Sequence, residues 1–442
     1  DGVTGRIVPA GDWRTLAAVL AQLLNDAPAA QELAAAATRS LSRFSWPALV
    51  DAYEAALLAL PGQTADAMNL LMLSGDTAAV SGRTGAFTST LEEFSRYWER
   101  IDVLTPAAPA AGQRVLFGNV HFWPAAPPRL LQPAFIVRQG RKLAAQRKYA
   151  LIISHDYGFF LNGIGAARLS AASGVPYLSE IHHVEGFPQA ASSGERVRRI
   201  AAGVYLRWAR NRARAFRVVN SQELPALLHT YGIAAHKVLV LHSLYLDFDV
   251  LQPTPASKRC DVLFVARMTP NKGGLLLLDA LAQVLRVRGS LRVAVVGDGP
   301  LLPAMQRRAA QLGLEGCVDW LGWQGSSTAL AELYRSARCL VCASRSEGGP
   351  RVVAEALACG TPVVSTAVGM ARELVRNGEN GFLAGWSAAE LATRIIELLS
   401  DEALQARMAV AAPAAVARFE KQRVIGEFAR ACQQLAVAPP AA

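Results

Sequence analysis

The chain is poor in the residues that cross-link or anchor a protein. Six cysteines occur in 442 residues, all from Cys260 onward and mostly in apolar contexts. That pattern excludes a disulfide-dense secreted scaffold and suits a reducing cytoplasm. No apolar run approaches the ~20 residues needed to span a bilayer. Acidic residues are outnumbered, 35 against 45 basic, for a net charge of +10. Such an excess favours an anionic partner: a nucleotide, an anionic membrane or a nucleic acid. Charged residues make up only 18% and hydrophobic residues 52%. A disordered chain is thereby excluded, and the length suits two or three domains of ~150 residues.

The most informative stretch is residues 344–376. An apolar strand, residues 339–343, enters a turn at Gly348-Gly349-Pro350. A helix is expected to open with Pro350 as its first residue, and residues 362–365 read as the next strand. The loop thus sits over a helix N-terminus, where free amides and the helix dipole suit a phosphate. Glu347 in the loop and Glu355 in the helix both face this mouth. Arg267 and Lys272 bracket an earlier strand-to-helix turn. A guanidinium fork and an ammonium at that spacing can neutralise a diphosphate. Gly297-Asp298-Gly299 ends another strand, where glycine permits close backbone approach.

The Glu-x7-Glu spacing, the run Ala-Leu-Ala-Cys-Gly-Thr-Pro-Val-Val after it, and then Gly369, Glu373 and Asn377-Gly378 resemble one family signature. It is the donor-site signature of the retaining glycosyltransferases of family four. The resemblance covers residues 68–436 and is strongest over 259–385. It implies a GT-B fold: two Rossmann-like α/β domains with doubly wound parallel sheets facing across a cleft. Residues 68–253 would form the acceptor-side domain, 259–400 the nucleotide-sugar domain, and 401–436 helices crossing back. The activity implied is transfer of a hexosyl-type sugar from a UDP- or GDP-sugar to a hydroxyl, with retention. A glycan or lipid-linked acceptor would suit polysaccharide or glycolipid synthesis at the cell surface.

By the same match, His182, Glu347, Arg267 and Lys272 would be catalytic. Glu355, Gly297, Gly299, Gly348, Gly349, Pro350, Arg351 and Gly322 would bind the donor, and Gly82 and Gly85 would form the acceptor-side loop. Ala266 stands where the family has Gly, and His183 where it often has Asp. His155, also at a strand end, is a weaker candidate than His182. No cofactor is implied beyond the donor. Asp247-Phe248-Asp249 has a metal-binding spacing but leads into a linker-like segment, so no catalytic metal is expected. Cys339 and Cys342 lie three apart on a strand and face opposite sides. They read as buried structural thiols. A non-catalytic nucleotide-sugar-binding or scaffold module remains the alternative, and an epimerase of similar fold would form product without any acceptor.

Residues 195–217 carry eight arginines and a single acid, interleaved with Ile200, Val204, Tyr205 and Trp208. This suits an anionic membrane surface, here the inner face of the cell membrane, or equally a solvated helix with its apolar stripe on the sheet. No nucleic-acid recognition module accompanies the charge. Finally, residues 1–60 parallel residues 376–436. Asp1-Gly2 matches Asn377-Gly378, Leu16 Leu391, Leu23-Leu24 Leu398-Leu399, Asp26 Asp401, Phe44 Phe419 and Tyr53 Phe428. The expectation is that 1–60 is the tail of a preceding transferase unit in a longer tandem polypeptide, with a linker at 61–67.

Overall fold

The computed structural model describes residue 8 and residues 12–41, 68–81, 85–107, 114–125 and 128–438. They fall in two units, Asp1–Ala67 and Met68–Ala442. The described part of the first is a helix pair, α1 (Trp13–Asn25) and α2 (Ala27–Leu41). Asp12 caps α1 by accepting from the Thr15 amide at 3.1 Å, and Asp26 caps α2 through the Ala29 amide at 3.0 Å. Such side-chain caps satisfy amides that a helix start leaves unpaired.

The second unit opens with β1 (Asn69–Leu73), α3 (Ala86–Phe94), β2 (Arg100–Thr105), β3 (Arg114–Leu116) and β4 (Val120–Pro124). It continues with α4 (Gln132–Gln146), β5 (Tyr149–His155), α5 (Leu161–Ser173), β6 (Tyr177–Ile181), α6 (Ser193–Ala209), β7 (Ala215–Val218), α7 (Glu223–Thr230) and β8 (Val238–Val240). These strands form one sheet in the order β3-β4-β2-β1-β5-β6-β7-β8, parallel except for the β3–β4 pair. The sheet is buried on both faces, as parallel sheets are. Leu70 and Met72 of β1 enter one core, and Leu71 and Leu73 the other.

A six-stranded parallel sheet follows, in the order β11-β10-β9-β12-β13-β14. Its strands and helices are β9 (Cys260–Val265), α8 (Gly274–Arg288), β10 (Val293–Val296), α9 (Leu302–Gln311), β11 (Val318–Gly322), α10 (Ser327–Ser336), β12 (Ala337–Cys342), α11 (Arg351–Ala358), β13 (Val363–Thr366), α12 (Ala371–Leu374) and β14 (Gly381–Ala384). Both sheets are Rossmann-like, as expected from the alternation of short apolar strands with helices. Cys339 and Cys342 fall in different cores on opposite faces of β12, and no cysteine is paired.

Three helices close the chain: α13 (Ala388–Ser400), α14 (Glu402–Ala411) and α15 (Lys421–Val437). α14 stays with the second sheet, burying Met408 in its core. α15 crosses to the first. The Phe428 ring packs, tilted, with its centroid 4.8 Å from that of Phe94, and the Gln433 amide donates to the Tyr97 carbonyl at 2.6 Å.

One local reading needed correction. Helix α11 starts at Arg351, with Pro350 at the capping position, because ψ of Pro350 is 97° and the chain is still extended there. Between β2 and β5 the chain adds β3, β4 and α4, whose strands carry no clear pattern in the sequence. Both strands are short, and β3 is largely open to solvent, so the alternation that marks a strand does not stand out.

The parallel between the two ends extends to structure. α1 and α13 have 13 residues each, and 375 positions separate both their starts and their ends. Asp401 caps α14 through the Leu404 amide at 2.8 Å, in the manner of Asp26. Leu391, Ile395 and Leu399 of α13 are buried, whereas Leu16, Leu20 and Leu24 of α1 are exposed. The parallels at Asp1, Gly2, Phe44 and Tyr53 lie outside the described residues.

Candidate active site

The candidate residues gather around the carboxyl ends of the strands, where open α/β sheets bind ligands. On the second sheet, a cavity of about 320 Å³ is lined by Arg267, Lys272, Gly297, Glu347, Gly349, Pro350, Arg351 and Glu355. Eight of the sequence-predicted residues thus converge. Lys272 reaches its place because Gly273 takes a left-handed φ of 72° directly after it. The Lys272 ammonium contacts a Glu347 carboxylate oxygen, which also accepts from the Ser344 hydroxyl at 3.1 Å. Glu355 is fixed by Tyr334 OH and Arg351 Nε, each at 2.8 Å.

Of the predicted donor-binding residues, Gly299, Gly322 and Gly348 do not line this cavity. Gly297 requires glycine, with φ at 121° and the Ala266 carbonyl oxygen 1.9 Å from where a Cβ would sit. The amide of Gly297 donates to Gly322, which shapes the wall from behind, and Gly299 packs on the Met268 backbone. Gly348 lies against the first domain: a Cβ there would fall 1.7 Å from the His182 carbonyl oxygen. Gly85 is the exposed N-cap of α3. Gly82 lies outside the described residues.

The first sheet contributes a second cavity of about 530 Å³. Its lining includes His155, Glu180, His182, His183 and Arg217, with Phe87, Tyr157, Tyr245 and Phe428 as aromatic walls. Glu180 is fully buried and ion-paired with Arg217, and His155 Nε2 lies 2.8 Å from its carboxylate. Burial would raise the Glu180 carboxyl, but Arg217 and the imidazoles outweigh it and hold it well below the usual range. His182 Nε2 stands 3.7 Å from the same carboxylate. Desolvation lowers the His182 pKa against the pull of Glu180, with the exposed edge of the ring limiting the effect. His183 is also lowered by desolvation, and it is this imidazole that feels the charges of Glu347, Lys272 and Arg267.

The two domains meet directly at the site. Asn220 Nδ2 donates to the Gly348 carbonyl at 3.1 Å, and the Ser221 amide to Glu373 at 2.6 Å. Glu223 accepts from the Gly369 amide at 3.1 Å. A loop expected to hold an anion is thus pinned from the opposite domain.

Residues 90–243 match the model of Glycosyltransferase Family 4, and residues 251–414 that of Glycosyl transferases group 1. The two models fall on the two Rossmann-like domains, the pairing found in the GT-B fold. A D-inositol 3-phosphate glycosyltransferase of Frankia alni is 39% identical over 168 residues, 36% of this chain and 41% of the relative. One of Streptomyces scabiei is 30% identical over 293 residues, 61% of this chain and 65% of the relative. Over its first relatives the match spans about two-fifths of their length. A sucrose-phosphate synthase from Thermosynechococcus elongatus superimposes with a TM-score of 0.71 at 21% identity, over 84% of this chain and 100% of that one. Anabaena HepE, solved with UDP and glucose, gives 0.64 at 23%, over 82% and 99%.

Several residues of the site carried no local signal in the sequence. Trp323, 72% exposed, flanks the donor-side cavity with Gln324. Sequence reading reached only its neighbour Gly322. Glu180, Arg217, Tyr245 and Phe428 sit in different elements and meet only through the order β5-β6-β7 and the return of α15. Asp247 accepts from the Asp249 amide at 3.1 Å within its own turn, and the described residues contain no His/Cys/Asp/Glu group suited to a metal.

Proposed function

We propose that the protein transfers a sugar from a nucleoside diphosphate sugar, UDP-sugars first, to an acceptor hydroxyl with retention and without a metal. The carrying observation is the convergence of Arg267, Lys272, Glu347 and the α11 N-terminus on one cavity that faces the His182–His183 segment. The UDP ligand of Anabaena HepE supports the choice of nucleotide.

In the transfer, negative charge grows on the departing diphosphate while the sugar becomes oxocarbenium-like. Arg267 and Lys272 neutralise the first change from fixed positions, which is where preorganised charge acts most strongly. Glu347 accepts from donor-sugar hydroxyls, and Glu355, already oriented by Tyr334 and Arg351, takes the ribose diol. Trp323 offers a flat face to the base. His182 meets the sugar or the incoming hydroxyl through a hydrogen bond. The acceptor sits in the cavity of the first domain, and leaving-group assistance on one face gives retention.

The test is release of UDP from UDP-glucose and transfer to candidate glycans, with EDTA present. Lys272→Ala and Glu347→Ala should each lower turnover ~10²-fold or more, in line with loss of one transition-state contact. Unchanged turnover in both variants would remove the assignment, and dependence on added divalent metal would remove the metal-free part.

Two further features fit synthesis of a cell-surface glycan on the cytoplasmic side. Val197, Ile200 and Val204 form an exposed stripe along α6, with exposed Arg196 and Arg207 beside it. We assign this face to an anionic membrane surface; equal flotation with neutral and anionic liposomes would count against that. The match of α1–α2 to α13–α14 in length, spacing and caps supports reading 1–60 as the tail of another transferase unit. The native polypeptide should then have a mass well above 47.1 kDa on an immunoblot, and a band at that mass would dismiss the tandem reading.

A further inference from the structure

A third cavity, about 560 Å³, lies beyond β1, β2 and β5 on the far side of Tyr157. It shares Gly75, His155 and Tyr157 with the cavity that faces His182, so the two adjoin through one wall. Nothing in the proposed transfer uses it.

Its lining contains an unsatisfied polar group. Gln132, at the start of α4, is 2% exposed, and neither its amide oxygen nor its amide nitrogen has a hydrogen-bond partner. Buried amides are nearly always paired, and leaving both ends unpaired is costly. Next to the cavity-lining Pro106, the buried Thr105 hydroxyl is also unpartnered. The rest of the lining is built for a ring with hydroxyls. Tyr157 and Phe159 present partly exposed aromatic faces, and Arg129 lies over the Tyr157 ring at 5.8 Å. Arg198 and Glu185, paired with each other, close the other side.

An amide offers a donor and an acceptor side by side, which matches adjacent hydroxyls or an acetamido group on a sugar. An acyl chain would leave both ends of Gln132 unpaired, and a bare phosphate would leave its amide oxygen without a donor. A cavity with a mostly apolar wall and a few placed polar groups is what a specific small-molecule subsite requires.

We infer that this cavity is a second acceptor subsite. It holds the sugar next to the one that reacts, so the acceptor is a glycan of at least two rings and not a free monosaccharide or polyol. The inference rests on the proposed transfer and specifies its acceptor.

The test is retention on an array of mono-, di- and trisaccharides, measured with the full chain at saturating UDP, alongside UDP affinity by calorimetry. Gln132→Leu keeps the volume and removes both polar ends, and Phe159→Ala changes an exposed ring. The expected result is at least tenfold stronger retention of some disaccharide or longer glycan over its component monosaccharides. Each variant should lose that preference about tenfold with UDP affinity unchanged. Equal retention of the monosaccharides overturns the inference. So does unchanged binding by Gln132→Leu, which would mean that only water meets the amide, or retention of no glycan while UDP binds. Failure to bind UDP strikes at the donor reading, and the acceptor inference falls with it.

Discussion

Gly348→Ala should separate nucleotide binding from turnover. Its new Cβ would stand 1.7 Å from the His182 carbonyl oxygen and 3.1 Å from Val219 Cγ2. The first contact is with backbone, so no side chain can swing aside. The segment or the whole domain must retreat until the contact is ordinary, roughly 1.5–2 Å. A misplacement of about 1 Å can cost ~10²-fold in rate, because reacting groups lose their near-attack geometry. Arg267, Lys272, Glu347 and Glu355 all belong to the donor-side domain and keep their mutual geometry. We therefore expect kcat for UDP-glucose turnover to fall about a hundredfold while calorimetric UDP affinity stays within about threefold. A thermal melt should show a folded protein. A kcat within twofold of the parent would refute the argument from domain contact, as would UDP affinity that falls in step with kcat.

Other outcomes follow from single residues. Trp323→Ala should leave thermal stability unchanged, since the side chain is exposed, and weaken UDP binding about tenfold if the ring stacks on the base; calorimetry reads both. Asp156 is buried among the hydroxyls of Ser154, Ser179 and Tyr205, and burial pushes its carboxyl up to about 7 despite them. The native state then binds a proton that the unfolded chain releases near its ordinary 3.8. The associated stability is complete below that value and is lost as pH rises toward 7, by up to about 4 kcal/mol. Melting temperature should accordingly decline between pH 5 and pH 8 more steeply than in Asp156→Asn, and parallel profiles would reject this. Phe428→Ala, which removes a ring packed on Phe94 and under Arg217, should cost about 3–5 kcal/mol in chemical denaturation.

The donor side was legible in the sequence because its parts are local. Glu347, Gly349, Pro350, Arg351 and Glu355 come from one loop and the helix after it, and Arg267 and Lys272 from one turn. Spacing alone brings such residues together. The acceptor side is built from single residues at the ends of different strands, plus Phe428 from a helix that returns at the end of the chain. No short pattern encodes that arrangement. Glu180 lay two residues before His182 in an apolar strand and gave no sign that it would pair with Arg217 on the neighbouring strand. β3 is only three residues long and largely open to solvent, and β4 is five residues ending in Pro124, too short for a pattern to stand out.

The pairing of Lys272 with Glu347 has one more consequence. An anion that reaches the ammonium must displace a carboxylate already in contact with it. A single phosphate gains little from that exchange. A diphosphate that also engages Arg267, and whose sugar gives the displaced carboxylate new hydroxyl partners, recovers the contact in full. The site therefore carries its own counterion, which discriminates against the inorganic phosphate of a cell and admits the larger ligand that satisfies both halves of the pair.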